Sequence, residues 1–140
     1  MKKMNMKKLD SESILPTRAH PEDAGLDLYN LESFVLEPGQ GHMARTGIAM
    51  AIPQGYVGLV ADRSSLGKKG LKTLGGVIDA GYRGEVKVLI RNLSLETLQL
   101  EAGDRIAQLL ILPVQTPEVV EVEDLDETVR GMGGFGSTGN

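Results

Sequence analysis

Two aspartates stand where the local pattern does not ask for an acid. Asp79 lies in Gly75-Gly76-Val77-Ile78-Asp79-Ala80-Gly81-Tyr82-Arg83-Gly84-Glu85, after three near-apolar residues and before a glycine and a tyrosine. Glycines here would let another molecule approach the backbone closely. Asp79 would then be a carboxylate at a pocket edge, a candidate general base, with the Tyr82 ring free to pack on a sugar. The same string also fits a tight hairpin with Asp79 as an ordinary turn residue. Asp27, in Ala24-Gly25-Leu26-Asp27-Leu28, is a lone acid in an apolar strand and needs a cation or donor. Arg63 is a suitable one.

Two further stretches carry polar groups that could meet an anion. Asp62-Arg63-Ser64-Ser65-Leu66-Gly67 follows an expected strand and opens a possible short helix capped by a serine. Its free N–H groups, two hydroxyls and a guanidinium would make an anion site, or else only a capped turn with a surface arginine. Gly103-Asp104-Arg105-Ile106-Ala107-Gln108-Leu109 puts a turn before a buried strand, with Ile106 and Gln108 on one face by strand period. A glutamine among apolar neighbours needs a partner, which would be a phosphate or a structural hydrogen bond.

The last eleven residues, Arg130 to Asn140, contain five glycines and Phe135, one of two phenylalanines in the chain. Such a segment costs much entropy to order. Glycine-rich ends are commonly disordered. With Arg130, Ser137, Thr138 and many free amides, this one could also close over a ligand that has a flat ring and phosphates.

Other chemistries lack support. The two histidines, His20 and His42, have no partner at metal-ligand spacing, and neither fits a nucleophilic triad. There are no cysteines, so neither disulfides nor thiolate chemistry arise. A hard cation such as Mg²⁺ needs only oxygens and can be held largely by the phosphates of a substrate. The net charge of −4 argues against general nucleic-acid binding. The lack of cysteines fits a cytoplasmic protein; no apolar run approaches a membrane span, and no signal-type apolar region follows the basic start.

Positioning these groups falls to short strands. The 140 residues suffice for one domain with a real core, built from aliphatic side chains because aromatics make up only 4%. Strands are expected at Ser33–Leu36, Thr46–Ile52, Tyr56–Ala61, Gly84–Leu93 and Arg105–Val114, with a further one possible at Glu118–Val122. Pro53-Gln54-Gly55 reads as the turn of a hairpin between the second and third. In Gly84–Leu93, Val86, Val88 and Ile90 share one face. Helix signals are confined to Ser64–Gly70. Closely spaced strands with turn punctuation imply an all-β sandwich or barrel.

Taken in order, the five stretches resemble the motifs of the trimeric dUTP pyrophosphatase (dUTPase) family: A-G-L-D-L, R-S-S-L, G-V-I-D-x-x-Y-R-G, G-D-R-I-A-Q-L and R-G-x-G-G-F-G-S-T-G. The third and fifth are specific, and the ordered set is very specific. The resemblance implies a distorted jelly-roll β-barrel or sandwich with at most one short helix. It implies residues 1–127 as the β-fold and 128–140 as a flexible glycine-rich lid of the same domain. It implies a homotrimer with shared active sites, no nucleic-acid or membrane partner, and hydrolysis of dUTP to dUMP and pyrophosphate with Mg²⁺. By the same resemblance Asp79 deprotonates the attacking water. Arg63, Ser64, Ser65 and Gln108 contact phosphates, and Asp27 supports the metal's water shell. Tyr82 packs on deoxyribose. Uracil is read by the hairpin from about Gly76 to Lys87, including Val77 and Ile78. Phe135 stacks on uracil, Arg130 reaches the γ-phosphate, and Gly136 and Ser137 belong to the closing lid.

The chain departs from the family at Asp62, where proline is frequent, which puts an extra negative charge near the triphosphate site that the resemblance implies, and at Gly81, a position often acidic. The related dCTP deaminases need a glutamate where Leu89 stands, so deamination is not expected. A non-catalytic nucleotide binder and a broader nucleotide pyrophosphatase are the remaining alternatives.

Overall fold

A computed structural model describes residues 3–136. Its strands are β1 (Asn5–Lys8), β2 (Leu26–Tyr29), β3 (Phe34–Leu36), β4 (Gly41–Ala51), β5 (Tyr56–Ala61), β6 (Leu71–Leu74), β7 (Val77–Ile78), β8 (Glu85–Asn92), β9 (Leu98–Leu100) and β10 (Arg105–Pro113). One four-residue helix, α1 (Ser64–Gly67), follows β5. Every ladder is antiparallel. One sheet runs β1-β4-β8-β6, a second runs β2-β10-β5-β7, and β3 pairs with β9. The fold is the expected distorted jelly roll.

The alternation predicted for β8 holds: Val86, Val88, Ile90 and Asn92 are buried between more exposed neighbours. Val86, Val88 and Ile90 meet Leu28, Val60, Ile106 and Leu109 of the second sheet in one aliphatic core. Asn92 is tolerated there because its amide donates to the carbonyls of Leu36 and Glu96, while its oxygen takes the Ser94 amide and hydroxyl.

Three expectations need correction. β4 and β5 are not a hairpin: β4 pairs with β1 and β8, whereas β5 pairs with β10 and β7. Ile52 is 2% exposed. Its burial anchors the end of this run in the core, and the turn at Pro53-Gln54-Gly55, closed by the Tyr56 amide on the Pro53 carbonyl, then carries the chain from one sheet to the other. Ile106 and Gln108 do not follow a simple strand period, because a bulge interrupts β10 between Arg105 and Ala107. Glu118–Val122 forms no strand. Val119 and Val120 are 94% and 70% exposed, so this chain offers the segment no apolar surface to cover.

Candidate active site

The order of the second sheet assembles the first group of site residues. β10 lies between β2 and β5, and Gln108 faces Asp27 on one side and Ala61 on the other. Asp27, Gln108 and the chain leaving β5 toward Arg63 therefore come together, although 81 positions separate the first two (108 − 27). The predicted ion pair is present: Arg63 Nε lies 3.2 Å from Asp27 Oδ1, and Arg105 Nε lies 3.7 Å from Oδ2. The Arg63 guanidinium also donates to Ser65 Oγ and to the Arg105 carbonyl, each at 3.4 Å. No serine caps α1; its N-cap is Arg63 in extended conformation with no side-chain cap. The amides of Ser64 and Ser65 open the helix without intrahelical acceptors. Gln108 Nε2 donates to the Asp62 carbonyl at 2.7 Å, the structural option of the two read from the sequence.

Gly25 makes room for that glutamine, since a Cβ there would sit 2.1 Å from Gln108 Oε1. The result is an open cleft of about 440 Å³ lined by Gly25, Asp27, Arg63, Ser64, Ser65 and Gln108, among others. Arg63 and Ser65 also face an adjoining cleft of about 530 Å³ with Lys69 and Arg105. Arg63, Lys69 and Arg105 line this surface with Asp23, Asp27 and Asp104, and of those carboxylates Asp27 is held by Arg63 and Arg105.

The second group gathers at the connection between β7 and β8. These strands pair with different partners, β7 with β5 and β8 with β4 and β6, so Asp79–Gly84 arches from one sheet to the other. The arch is closed by the Tyr82 amide on the Asp79 carbonyl at 3.0 Å. Arg83 Nη1 donates to the Ala80 and Tyr82 carbonyls at 2.6 and 3.1 Å. Asp79 is thus a turn residue through its backbone. Its exposed carboxylate has no hydrogen-bond or ion-pair partner among the described residues. The Tyr82 ring folds over Gly84, where a Cβ would sit 2.5 Å from the phenol oxygen, and its hydroxyl donates to the Glu85 carbonyl at 2.8 Å.

A cleft of about 420 Å³ joins Gly76, Val77, Ile78, Asp79, Tyr82 and Lys87 with Met43, Leu74 and Leu89, among others. Ile78 turns its side chain into the core and Val77 turns outward, 8% and 66% exposed. Gly76 has φ +100, and its carbonyl accepts the Val60 amide at 2.8 Å. Leu89 lines this cleft, so the position a deaminase would give to a proton-relaying acid holds an aliphatic chain.

One support of the arch gave no signal in sequence. β4 carries an irregularity between Arg45 and Ala49, opposite Lys87 and Glu85. Glu85 fills it, with its carboxylate 3.1 Å from Arg45 Nε and accepting the Gly47 amide at 3.2 Å, while Arg45 also reaches Glu32 at 2.8 Å. Burial pushes the Glu85 carboxyl up, but the Arg45 and Gly47 hydrogen bonds and the Arg45 and Lys87 charges outweigh it and hold it below its ordinary range. Arg105, Lys69 and Gly25 were also missed as site residues. Gly25 had a signal in its place two residues before Asp27.

Asp62 was read as extra negative charge near the phosphate positions, and the structure accounts for that charge. Its Oδ2 lies 2.5 Å from Lys72 Nζ, and its Oδ1 accepts the Thr73 amide and hydroxyl, both at 2.7 Å. Burial raises its carboxyl, and the bonds from Lys72 and Thr73 more than offset that, leaving it below the ordinary range. The His42 ring stacks on Phe34 at 4.1 Å between centroids, and the His20 backbone amide donates to Asp23.

The described part of the tail, up to residue 136, joins neither cleft in this chain. Arg130 Nε donates to the Gly133 carbonyl at 2.6 Å, Phe135 is fully exposed with φ 51, and Gly136 has φ 83. Phe135 therefore fills none of this chain's core. Ser137 and Thr138 lie outside the described residues.

Comparison with known proteins agrees with this geometry. The dUTPase family model matches residues 11–139. The chain is 51% identical over 138 residues to the deoxyuridine 5'-triphosphate nucleotidohydrolase of Nocardia farcinica, covering 96% of this chain and 84% of the relative. It is 52% identical over 141 residues to the Mycobacterium marinum enzyme of the same name, covering 94% and 92%. Among solved structures, a Staphylococcus bacteriophage 80alpha dUTPase with dUpNHpp superposes with TM-score 0.95 at 34% identity over the full length of both chains. A dUTPase from phage phi11 of S. aureus, solved with a structural Mg(II) ion, gives 0.84 at 32% identity over 89% of this chain and 99% of its own. The chain belongs to the dUTPase family and is a hydrolase, as its five motifs implied. No helix among the described residues is long and apolar enough to cross a membrane.

Proposed function

We propose that this protein hydrolyses dUTP to dUMP and pyrophosphate by attack of water on the α-phosphorus, with Asp79 as general base. The observation that carries the reading is the free, exposed carboxylate of Asp79 on a backbone-braced arch beside Tyr82 and Lys87. A pure binding protein has no use for an unpartnered carboxylate there. The water's proton passes to Asp79, the new P–O bond forms, and pyrophosphate leaves in line with its charge spread over Arg63, the Ser64 and Ser65 groups and the cations nearby. Tyr82 packs against deoxyribose and leaves no room for a 2′-hydroxyl. The arch from Gly76 to Lys87 reads uracil, with Val77 and Ile78 contributing backbone groups.

Mg²⁺ fits this donor set only as an outer-sphere guest. No cluster of three or more metal-ligating side chains occurs among the described residues, and both carboxylates of the polar cleft are engaged: Asp27 faces two guanidinium groups and Asp23 accepts the His20 amide. Asp27 would hold the ion through water, and the ion when bound would neutralise phosphate charge.

Two separate clefts in one chain, one for phosphates and one for base and sugar, are half-sites that need a second subunit to meet. A homotrimer with shared sites supplies it, and the segment 128–140 closes each site as a lid on the β-fold of residues 1–127. Phe135 then stacks on uracil, Arg130 reaches the γ-phosphate, and Gly136 and Ser137 follow them into place. The product would feed thymidylate synthesis, and removal of dUTP would limit uracil in DNA, in a cytoplasmic setting. Hydrolysis in ¹⁸O-water tests the route. Label in dUMP supports attack at the α-phosphorus, and label in pyrophosphate refutes it.

A further inference from the structure

We infer that Asp62 is a positioning residue that clamps the phosphate-binding turn to the neighbouring sheet. The inference rests on the proposed function for the ligand's identity, but the geometry is independent of it. β5 belongs to the second sheet and ends at Ala61, while β6 lies at the edge of the first sheet beside β8. Side-chain bonds from Asp62 join the two: Oδ1 takes both the amide and the hydroxyl of Thr73, and Oδ2 faces Lys72 Nζ. The backbone carbonyl of the same residue accepts Gln108 Nε2 at 2.7 Å. The next residue is Arg63, which pairs with Asp27 and reaches Ser65. A single residue thus fixes the register of Arg63, Ser64, Ser65 and Gln108 from behind, with its own charge turned away toward Lys72.

The parts of the clamp are unequal. Lys72 and Asp62 side chains are 52% and 31% exposed, so their ion pair contributes little. Thr73 is 9% exposed and its two bonds to Oδ1 are short, so loss of that acceptor would leave a shielded amide without a partner. An oxygen at the Oδ1 position matters more than the charge.

The test separates the two halves of the ligand. Binding of inorganic pyrophosphate and of deoxyuridine is measured by calorimetry on the full chain, alongside dUTP kinetics. Asp62→Ala is expected to weaken pyrophosphate about tenfold, the size of one lost anchor, and to raise KM for dUTP by a similar factor. Deoxyuridine binding should stay within about twofold and kcat within about threefold. Thr73→Val removes the hydroxyl bond but keeps the amide bond to Oδ1, so it should weaken pyrophosphate in the same direction by about threefold, and the double variant should be no worse than Asp62→Ala, which already removes both bonds. Asp62→Asn, which keeps the oxygen, should retain pyrophosphate binding within about threefold. Unchanged pyrophosphate binding in Asp62→Ala overturns the inference. So does an equal loss of pyrophosphate and deoxyuridine, which would make Asp62 a general structural residue. If Asp62→Ala does not fold, Thr73→Val and Asp62→Asn decide the matter by the same measurements. A wild-type chain that binds pyrophosphate but does not turn over dUTP refutes the proposed function and leaves the clamp to be judged on binding alone.

Discussion

Replacing Gly84 with alanine should move Tyr82 without unfolding the protein. The added Cβ would lie 2.5 Å from the phenol oxygen, 2.7 Å from Cζ and 2.9 Å from Cε1. Carbon contacts rest at about 3.5–4.0 Å, so the ring must retreat by about 1 Å. Its hydroxyl then leaves the 2.8 Å bond to the Glu85 carbonyl. That bond contributes about 0.5–1.5 kcal/mol net, and Tyr82 is half exposed, so no core cavity opens. The functional cost is larger, because a displacement of about 1 Å at a substrate-packing group lowers rate by up to about a hundredfold. The assay is kcat/KM for dUTP and for UTP, with a thermal melt of each variant. We expect melting within a few degrees of wild type, kcat/KM for dUTP down about 10- to 100-fold, and preference for dUTP over UTP eroded about tenfold. Gly81→Ala is the control, since a Cβ in the same arch would meet nothing within 4 Å. Full activity and full discrimination in Gly84→Ala would refute the role given to Tyr82.

Gly25→Ala should drive Gln108 from its place, since the new Cβ would sit 2.1 Å from Oε1. Loss of the Gln108–Asp62 bond should cost about 1–3 kcal/mol in denaturant melts and raise KM for dUTP more than it lowers kcat. Glu85 is held below its ordinary value of 4.5, so the stability it contributes is present above that value and disappears as pH falls through the lower, folded value. Glu85→Gln should therefore lose stability at neutral pH and show a shallower decline between about pH 5 and pH 3 than wild type; an unchanged acid limb in urea melts would contradict this. Mixing inactive Arg63→Ala and Asp79→Asn chains should regenerate activity, because subunits sharing a site would rebuild an intact one. No recovery after subunit exchange would mean that each chain supplies both groups to one site.

The legible part of this protein was its short-range chemistry. Asp27 in an apolar strand announced a cationic partner, and Arg63 is that partner. The alternation of Val86, Val88 and Ile90 announced a strand with one buried face. Less legible was everything decided by strand pairing. Pro53-Gln54-Gly55 has hairpin composition, yet after the buried Ile52 it carries the chain from one sheet to the other. The bulge in β10 shifted Gln108 off the face predicted from Ile106. Glu85 looked like the solvent side of a strand and proved to plug an irregularity in β4, a feature with no local signature. Asp62 carried the most misleading signal. As one more acid beside a phosphate site it read as a liability, and its orientation toward Lys72 and Thr73 depends on β6, a strand the sequence did not mark.

The most direct test is pyrophosphate release from dUTP, dTTP, dCTP and UTP with Mg²⁺, by wild type and by Asp79→Asn. Turnover of dUTP is expected at least about a hundredfold above the other three. The Asp79→Asn protein is expected to bind dUTP normally but to lose about 10²- to 10⁴-fold in kcat. Equal turnover of dTTP or UTP, or an Asp79→Asn rate near wild type, would contradict the proposed function.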